Sequence, residues 1–325
     1  MSHGPLIDVH QHPIPEYYKR ALASIGVHGS GENPWAQWSE SSQLELMDQN
    51  GIAVAINSIA SPGVYFGDTD FAIRLARECN EESVRMVARH PDRFGAFAIL
   101  PLPHVEGAIR EAEYALDVLK LDGVCLLTHV ADRHLGQIED DELYAELDRR
   151  QAVVFVHPMR NQANNMPAYS YPSGMTELVL DTTRAIHNLL WNGTFGKFPN
   201  IRWIMPHGGG TIPFLVYRMS AMNNKPNAAS RLPGGTVSSA LRRLYYDVAE
   251  ICSPGPLKCL TELADRSHIL FGSDFPFSRH RAPADDVEAA IAGFEEFDGW
   301  DSNMRRGIES GNACQLFPRF AEASS

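Results

Sequence analysis

Short apolar runs rich in β-branched residues alternate with longer amphipathic stretches along nearly the whole chain. Eight runs have strand character: Leu6–Val9, Ala53–Ser58, Phe94–Leu100, Gly123–Thr128, Ala152–Val156, Ile201–Met205, Tyr245–Ala249 and Ile269–Gly272. Most are continuously apolar rather than strictly alternating, as expected of strands covered on both faces. The intervening stretches predict helices. Ser42–Asn50 stops before Gly51, a C-terminal stop signal. Thr69–Arg89 places Phe71, Leu75, Val84 and Val87 at helical spacing and stops before His90-Pro91. Val105–Lys120, Asp140–Arg150, Met175–Phe195, Pro213–Asn223, Val237–Leu244 and Pro256–Ala264 continue the alternation, and Asp285–Phe297 and Asn303–Phe317 follow the last strand.

Eight strands alternating with helices predict parallel βα units, and at 325 residues a closed (β/α)₈ TIM barrel is the economical arrangement. An open doubly wound sheet is the alternative, but no G-x-G-x-x-G follows the first strand. Three segments exceed simple connections: Pro13–Ser41, Pro158–Gly174 and Asn224–Gly235. The first two form long loops after strands one and five, where barrel enzymes build their sites. No linker divides the chain, so residues 1–325 read as a single barrel domain.

Composition narrows the partners. A formal charge of −12 with scattered basic residues argues against nucleic acid or an anionic membrane surface, which require a clustered basic footprint. No apolar run approaches the roughly 20 residues of a membrane span. The five cysteines are widely spaced without a C-x-x-C, and read as buried reduced thiols. No charged-then-apolar leader opens the chain, so the expected location is cytoplasmic.

The chemistry sits at strand ends. The first strand closes Asp8-Val9-His10-Gln11-His12, and residues two apart share one strand face, so His10 and His12 can converge on one ion. The fifth strand ends at His157, the sixth runs into His207-Gly208-Gly209-Gly210, and the eighth into Ser273-Asp274. A single histidine or aspartate there is readily structural; four strand ends in a consistent register are hard to produce by packing alone. His10, His12, His157 and Asp274 offer three imidazoles and a carboxylate, a set suited to one divalent ion, Zn²⁺ or Mn²⁺, with open positions for water or substrate. His207 reads as an acid–base group beside the metal rather than a ligand. Asp8 and the remaining histidines read as structural, with His129 after strand four able to reach a pocket. Trp35, Trp38, Tyr169, Tyr171, Trp191 and Phe277 are candidate aromatic walls.

With those residues in place the chain resembles the amidohydrolase-related decarboxylases. The resemblance runs nearly end to end, through IDVHQH at 7–12, HPDRFGAFAILPLP at 90–103, YAELDRRQAVVFVHP at 144–158, GTFGKFPNIRWIMPHGGGTIPF at 193–214, LFGSDFPF at 270–277 and GNACQLFPR at 311–319. It implies a metal-dependent non-oxidative decarboxylase, with His10, His12, His157 and Asp274 as metal ligands and His207 as the catalytic histidine. It also implies that Arg218 reaches the substrate carboxylate of a neighbouring subunit, making a homodimer part of the site. SPGVYFGD at 61–68 and GVCLLT at 123–128 most resemble the 6-methylsalicylate branch. Pro13–Ser41 offers only Lys19 and Arg20 for a second carboxylate, which favours an aromatic monocarboxylate substrate. The polar stretch 128–132, Thr-His-Val-Ala-Asp, departs from that branch. Either Asp274 or His207 could deliver the proton. Two rivals stand beside this reading: a hydrolase of C–N or C–C bonds using metal-bound hydroxide in the same shell, and a non-enzymatic protein that has kept the barrel.

Overall fold

The computed structural model describes residues 4–30, 33–159, 173–277 and 283–322. Eight parallel strands follow one another in chain order around a single sheet: β1 (Leu6–Gln11), β2 (Ile52–Asn57), β3 (Phe94–Ile99), β4 (Gly123–Leu127), β5 (Val153–His157), β6 (Arg202–Met205), β7 (Tyr245–Asp247) and β8 (Ile269–Leu270). Main-chain hydrogen bonds carry the sheet back to its first strand. Val9 N donates to Phe271 O at 3.0 Å, Asp274 N to His10 O at 2.9 Å and His12 N to Phe275 O at 2.7 Å. All eight expected strands are present and the barrel is nearly closed.

The apolar runs divide into two layers, which is why they need no strict alternation. One set packs inside the barrel: Ile7, Val9, Val54, Phe97, Phe155 and Ile204 lie in one buried cluster with Leu316, Phe317 and Phe320 from the chain's end. The other set faces outward, where Ala98, Leu126, Val154 and Met205 meet helix residues such as Leu143, Ile186 and Leu257. A register shift between Asp8 and Gln11 breaks the alternation of β1. It lets Ile7 and Val9 fill the interior while His10 and His12 still turn into the mouth.

The structure departs from the sequence expectations where short elements interrupt longer ones. The loop after β1 holds a helix, Glu16–Ala23, started by Pro15, and a small hairpin pairing Gly29–Ser30 with Asn33–Pro34. The helix expected over 175–195 ends at Trp191, because Gly193 takes φ 76° before a further turn at Thr194–Lys197. An unexpected hairpin, His129–Val130 with Arg133–His134, follows β4 and turns at Ala131 with φ 55°. Cys259 is exposed rather than buried, and all five cysteines are free thiols. Most of the expected loop 158–174, with Tyr169 and Tyr171, lies outside the described residues. None of the described helices is long and apolar enough to cross a membrane.

Candidate metal centre and active site

The C-terminal ends of β1, β5 and β8 bring His10, His12, His157 and Asp274 together at the barrel mouth. One ligating atom from each lies within 4.8 Å of the other three, and all four residues are buried. Asp274 Oδ1 sits 3.3 Å from His10 Nε2 and 3.1 Å from His12 Nε2. Neither contact has hydrogen-bond geometry: the Nε2 atoms of His10, His12 and His157 and Asp274 Oδ1 are buried without a hydrogen-bond partner among the described residues. Four converging, unsatisfied buried polar atoms are costly unless something ligates them together. That observation fits a divalent cation.

The opposite ring nitrogens are fixed. His10 Nδ1 lies 2.9 Å from Asp247 Oδ2, His12 Nδ1 lies 3.0 Å from Ser58 O and His157 Nδ1 lies 2.9 Å from Pro158 O. Each partner accepts a hydrogen bond from Nδ1–H, which makes Nε2 the ring nitrogen that can ligate once it is unprotonated. The charges divide accordingly. Burial opposes a charged His10, but the carboxylates of Asp247 and Asp274 outweigh it and raise that imidazole to about 10. Burial holds His157 well below the ordinary histidine range and lowers His12 as well. Burial would raise Asp274, yet the surrounding imidazoles, His10 first, keep its carboxyl well below the usual range.

His207 stands against this cluster. Its Nε2 lies 3.4 Å from Asp274 Oδ2 and 3.7 Å from Glu250 Oε2, and its backbone N donates to Asp247 Oδ1 at 2.9 Å. His207, Glu250 and Asp274 all take left-handed backbone angles, φ 53°, 58° and 65°. Side chains rarely adopt that region, and its concentration at three strand ends marks backbone held by its surroundings to aim these groups. The glycines after His207 answer to crowding: a Cβ on Gly210 would meet Val179 O at 2.5 Å.

A protein-family model for amidohydrolases matches residues 7–319 of this sequence. The chain belongs to the amidohydrolase family. The amidohydrolase is 33% identical over 319 residues to a 6-methylsalicylic acid decarboxylase of Penicillium expansum, covering 96% of both chains. Among solved structures, an amidohydrolase 29% identical superposes with a TM-score of 0.86, covering 96% of this chain and 99% of that one. A dihydroxybenzoic acid decarboxylase from a Polaromonas species, solved with manganese and 2-nitroresorcinol, shares the fold at 21% identity and a TM-score of 0.81, covering 99% of each chain.

Of the six site residues expected from sequence, five of this amidohydrolase converge and one stands apart. Arg218 lies on the helix Ile212–Met219, exposed, with no ion pair to a described residue. Its neighbours Phe214 and Tyr217 are 81% and 91% exposed, unusual for large aromatic side chains. Asp247, Glu250 and Ser58 were missed by the sequence reading. The available signal was a pair of acids, Asp247 and Glu250, terminating an apolar strand in YYDVAE. Asp8 is structural: its carboxylate accepts from His10 N, Ser273 N and Gln11 Nε2, and burial raises it to about 6. His129 turns to Asp181, at 2.8 Å. Trp35 packs on Tyr18, Trp38 donates to Gln43, and Trp191 is 44% exposed; of the proposed aromatic walls among the described residues, Phe277 reaches the site, 5.4 Å from the His12 ring.

Proposed function

We propose that this amidohydrolase is a metal-dependent, non-oxidative decarboxylase of a hydroxylated aromatic acid of the 6-methylsalicylate type, acting as a cytoplasmic, single-domain homodimer. The observation that carries the proposal is the set of four orphaned ligand atoms at the mouth of a barrel related over nearly its whole length to such a decarboxylase. His10, His12, His157 and Asp274 would hold one Zn²⁺ or Mn²⁺ ion. When bound, such an ion supplies Lewis acidity for a substrate carboxylate and its neighbouring phenolic oxygen.

The protein's own groups then manage one proton. Asp274 Oδ2 and His207 Nε2, 3.4 Å apart, face each other and can share it. Delivered to the ring carbon that bears the carboxylate, the proton forms a C–H bond and interrupts aromaticity. Cleavage of the C–C bond returns its electron pair to the ring and releases CO₂, so the balance is one proton consumed per CO₂. Asp247 ties this relay to the ligand cluster, holding the His10 ring with one oxygen and the His207 backbone with the other. Burial of the whole cluster strengthens each of these electrostatic contacts.

Arg218 fits a role across a subunit boundary. Its guanidinium is unpaired among the described residues, and Phe214 and Tyr217 beside it form an apolar surface suited to a partner copy. An arginine arriving from that copy could grip a carboxylate through two parallel hydrogen bonds. Lys19, one of two cations available near the start of the first loop, is engaged by Glu16 at 2.6 Å, which favours one substrate carboxylate rather than two.

The test is CO₂ release from 6-methylsalicylate and a panel of hydroxybenzoates by metal-loaded protein. Release that disappears on chelation and returns with Zn²⁺ or Mn²⁺ is expected. A fully metallated dimer that releases none would favour hydrolysis at the same site.

A further inference from the structure

Far from the mouth, at the N-terminal ends of β6, β7 and β8, a cavity of about 320 Å³ lies between the strand starts and segment 195–200. Its walls include Phe198, Trp203 and Tyr245, with Arg202, Arg243 and His268 among them, and no carboxylate of a described residue lines it. That is unusual on a chain with 40 acidic and 28 basic residues. Arg202 is half-buried, and both arginines are tied only to carbonyls: Arg202 Nε donates to Gln151 O at 3.0 Å and Arg243 Nη2 to Pro199 O at 3.2 Å. Neither forms an ion pair with a described residue. The nearby acids are engaged elsewhere: Asp148 accepts from the backbone and side chain of Asn200, and Asp265 from Ser267. Desolvation, offset only in part by Tyr245, lowers the Arg202 guanidinium. The buried Trp203 indole N–H also lacks an acceptor.

A partly desolvated cation without a counter-ion is unfavourable, and an incoming anion relieves it. The ring stack of Tyr245 on His268, centroids 4.1 Å apart, offers a flat face beside the arginines. We propose that this cavity is a second binding site, for a small aromatic carboxylate, on the barrel face opposite the metal centre. The arginines would take the carboxylate and the aromatic wall the ring. The cavity is at the small end of ligand-sized pockets, which favours a single ring. Its floor belongs to the strands that carry His207 and Asp247 at their other ends, so an occupant here is placed to influence the mouth through β6 and β7.

The test is calorimetric titration of the full metal-loaded chain with benzoate, benzamide and inorganic phosphate. Arg243→Gln, a surface change that should leave folding and the mouth intact, is expected to weaken one class of benzoate sites at least tenfold. Arg202→Gln should remove it, and Trp203 fluorescence, assigned with Trp203→Phe, should respond to benzoate alone. Benzamide or phosphate binding as tightly as benzoate would overturn the proposal. So would benzoate binding that is indifferent to Arg243→Gln in protein that retains its native circular dichroism. Because Arg243 lies outside the metal centre, loss of this site with CO₂ release intact separates it from the proposed reaction.

Discussion

The two ends of the same strands obey opposite rules. Inside the barrel, Ile7, Val9, Val54, Phe97, Phe155 and Ile204 pack without polar atoms, and Phe317 and Phe320 join them from the chain's end. At the mouth, five polar atoms of His10, His12, His157, His207 and Asp274 are buried without hydrogen-bond partners, and three backbone positions take left-handed angles. The apolar interior follows the packing rule; the mouth violates polar satisfaction and backbone preference together, and does so where the strands converge. A fold tolerates such local violations where function requires them and the rest of the barrel supplies stability.

The sharpest break of this division is Asp274→Asn. It keeps size and removes the charge that three imidazoles hold in place, so metal loading should fall and CO₂ release should drop about 10³- to 10⁴-fold, roughly 4–5 kcal/mol in transition-state terms. Thermal stability of the metal-free protein should fall modestly near neutral pH, because the carboxyl held well below its usual range by His10 no longer offsets that buried imidazolium. A large fall in stability would mean that the mouth also holds the barrel together.

Phe97→Ala tests the other end. Phe97 is 1% exposed, stacks on Phe155 with centroids 5.3 Å apart and meets Phe317 edge-on. Its truncation should cost about 3–5 kcal/mol of stability, read by chemical denaturation, while the fraction still folded binds metal normally. Phe155→Ala should lose both properties. That ring sits 4.9 Å from His10 and is the point where apolar filling becomes a support for the ligands.

The barrel was legible because its strands are buried on both faces and some helices stop before glycine or proline, as at Gly51 and Pro91; all eight strands emerged from the apolar runs. The four candidate ligands and His207 could be singled out because each lies at the end of a strand, and the structure brings the five together. Asp247 was not, since a single acid inside the run Tyr245–Ala249 carries no signal of its own, and its contacts with the site go to residues 237 and 40 positions away. Glu250 was hidden for the same reason. The interruptions at Ala131 and Gly193 depend on single left-handed residues, which leave no periodic trace. Arg218 is legible as a residue but not as a contact, because its proposed partner is another molecule.

Asp247 also yields the subtler predictions. Replacing it with Asn keeps a group near His10 Nδ1 and His207 N but removes the charge. The His10 ring loses its strongest orienting partner, and metal affinity should weaken about 10- to 100-fold, roughly 1.4–2.7 kcal/mol, by competition with a chelator. Proton release reports the same contact on a finer scale. With its imidazole raised to about 10, His10 is protonated at pH 8 in the metal-free protein, whereas His12 and His157 are neutral and Asp274 is ionised. A metal needs the free Nε2 of His10, so binding at pH 8 must expel about one proton, and affinity should rise with pH until about 10 and then level. Calorimetry in buffers of different ionisation enthalpy counts that proton. Asp247→Asn removes one of the two carboxylates that raise His10, so the proton count at pH 8 should fall below one. A count that stays at one would assign the raised imidazole to Asp274 alone and shift the mouth's electrostatic centre from β7 to β8.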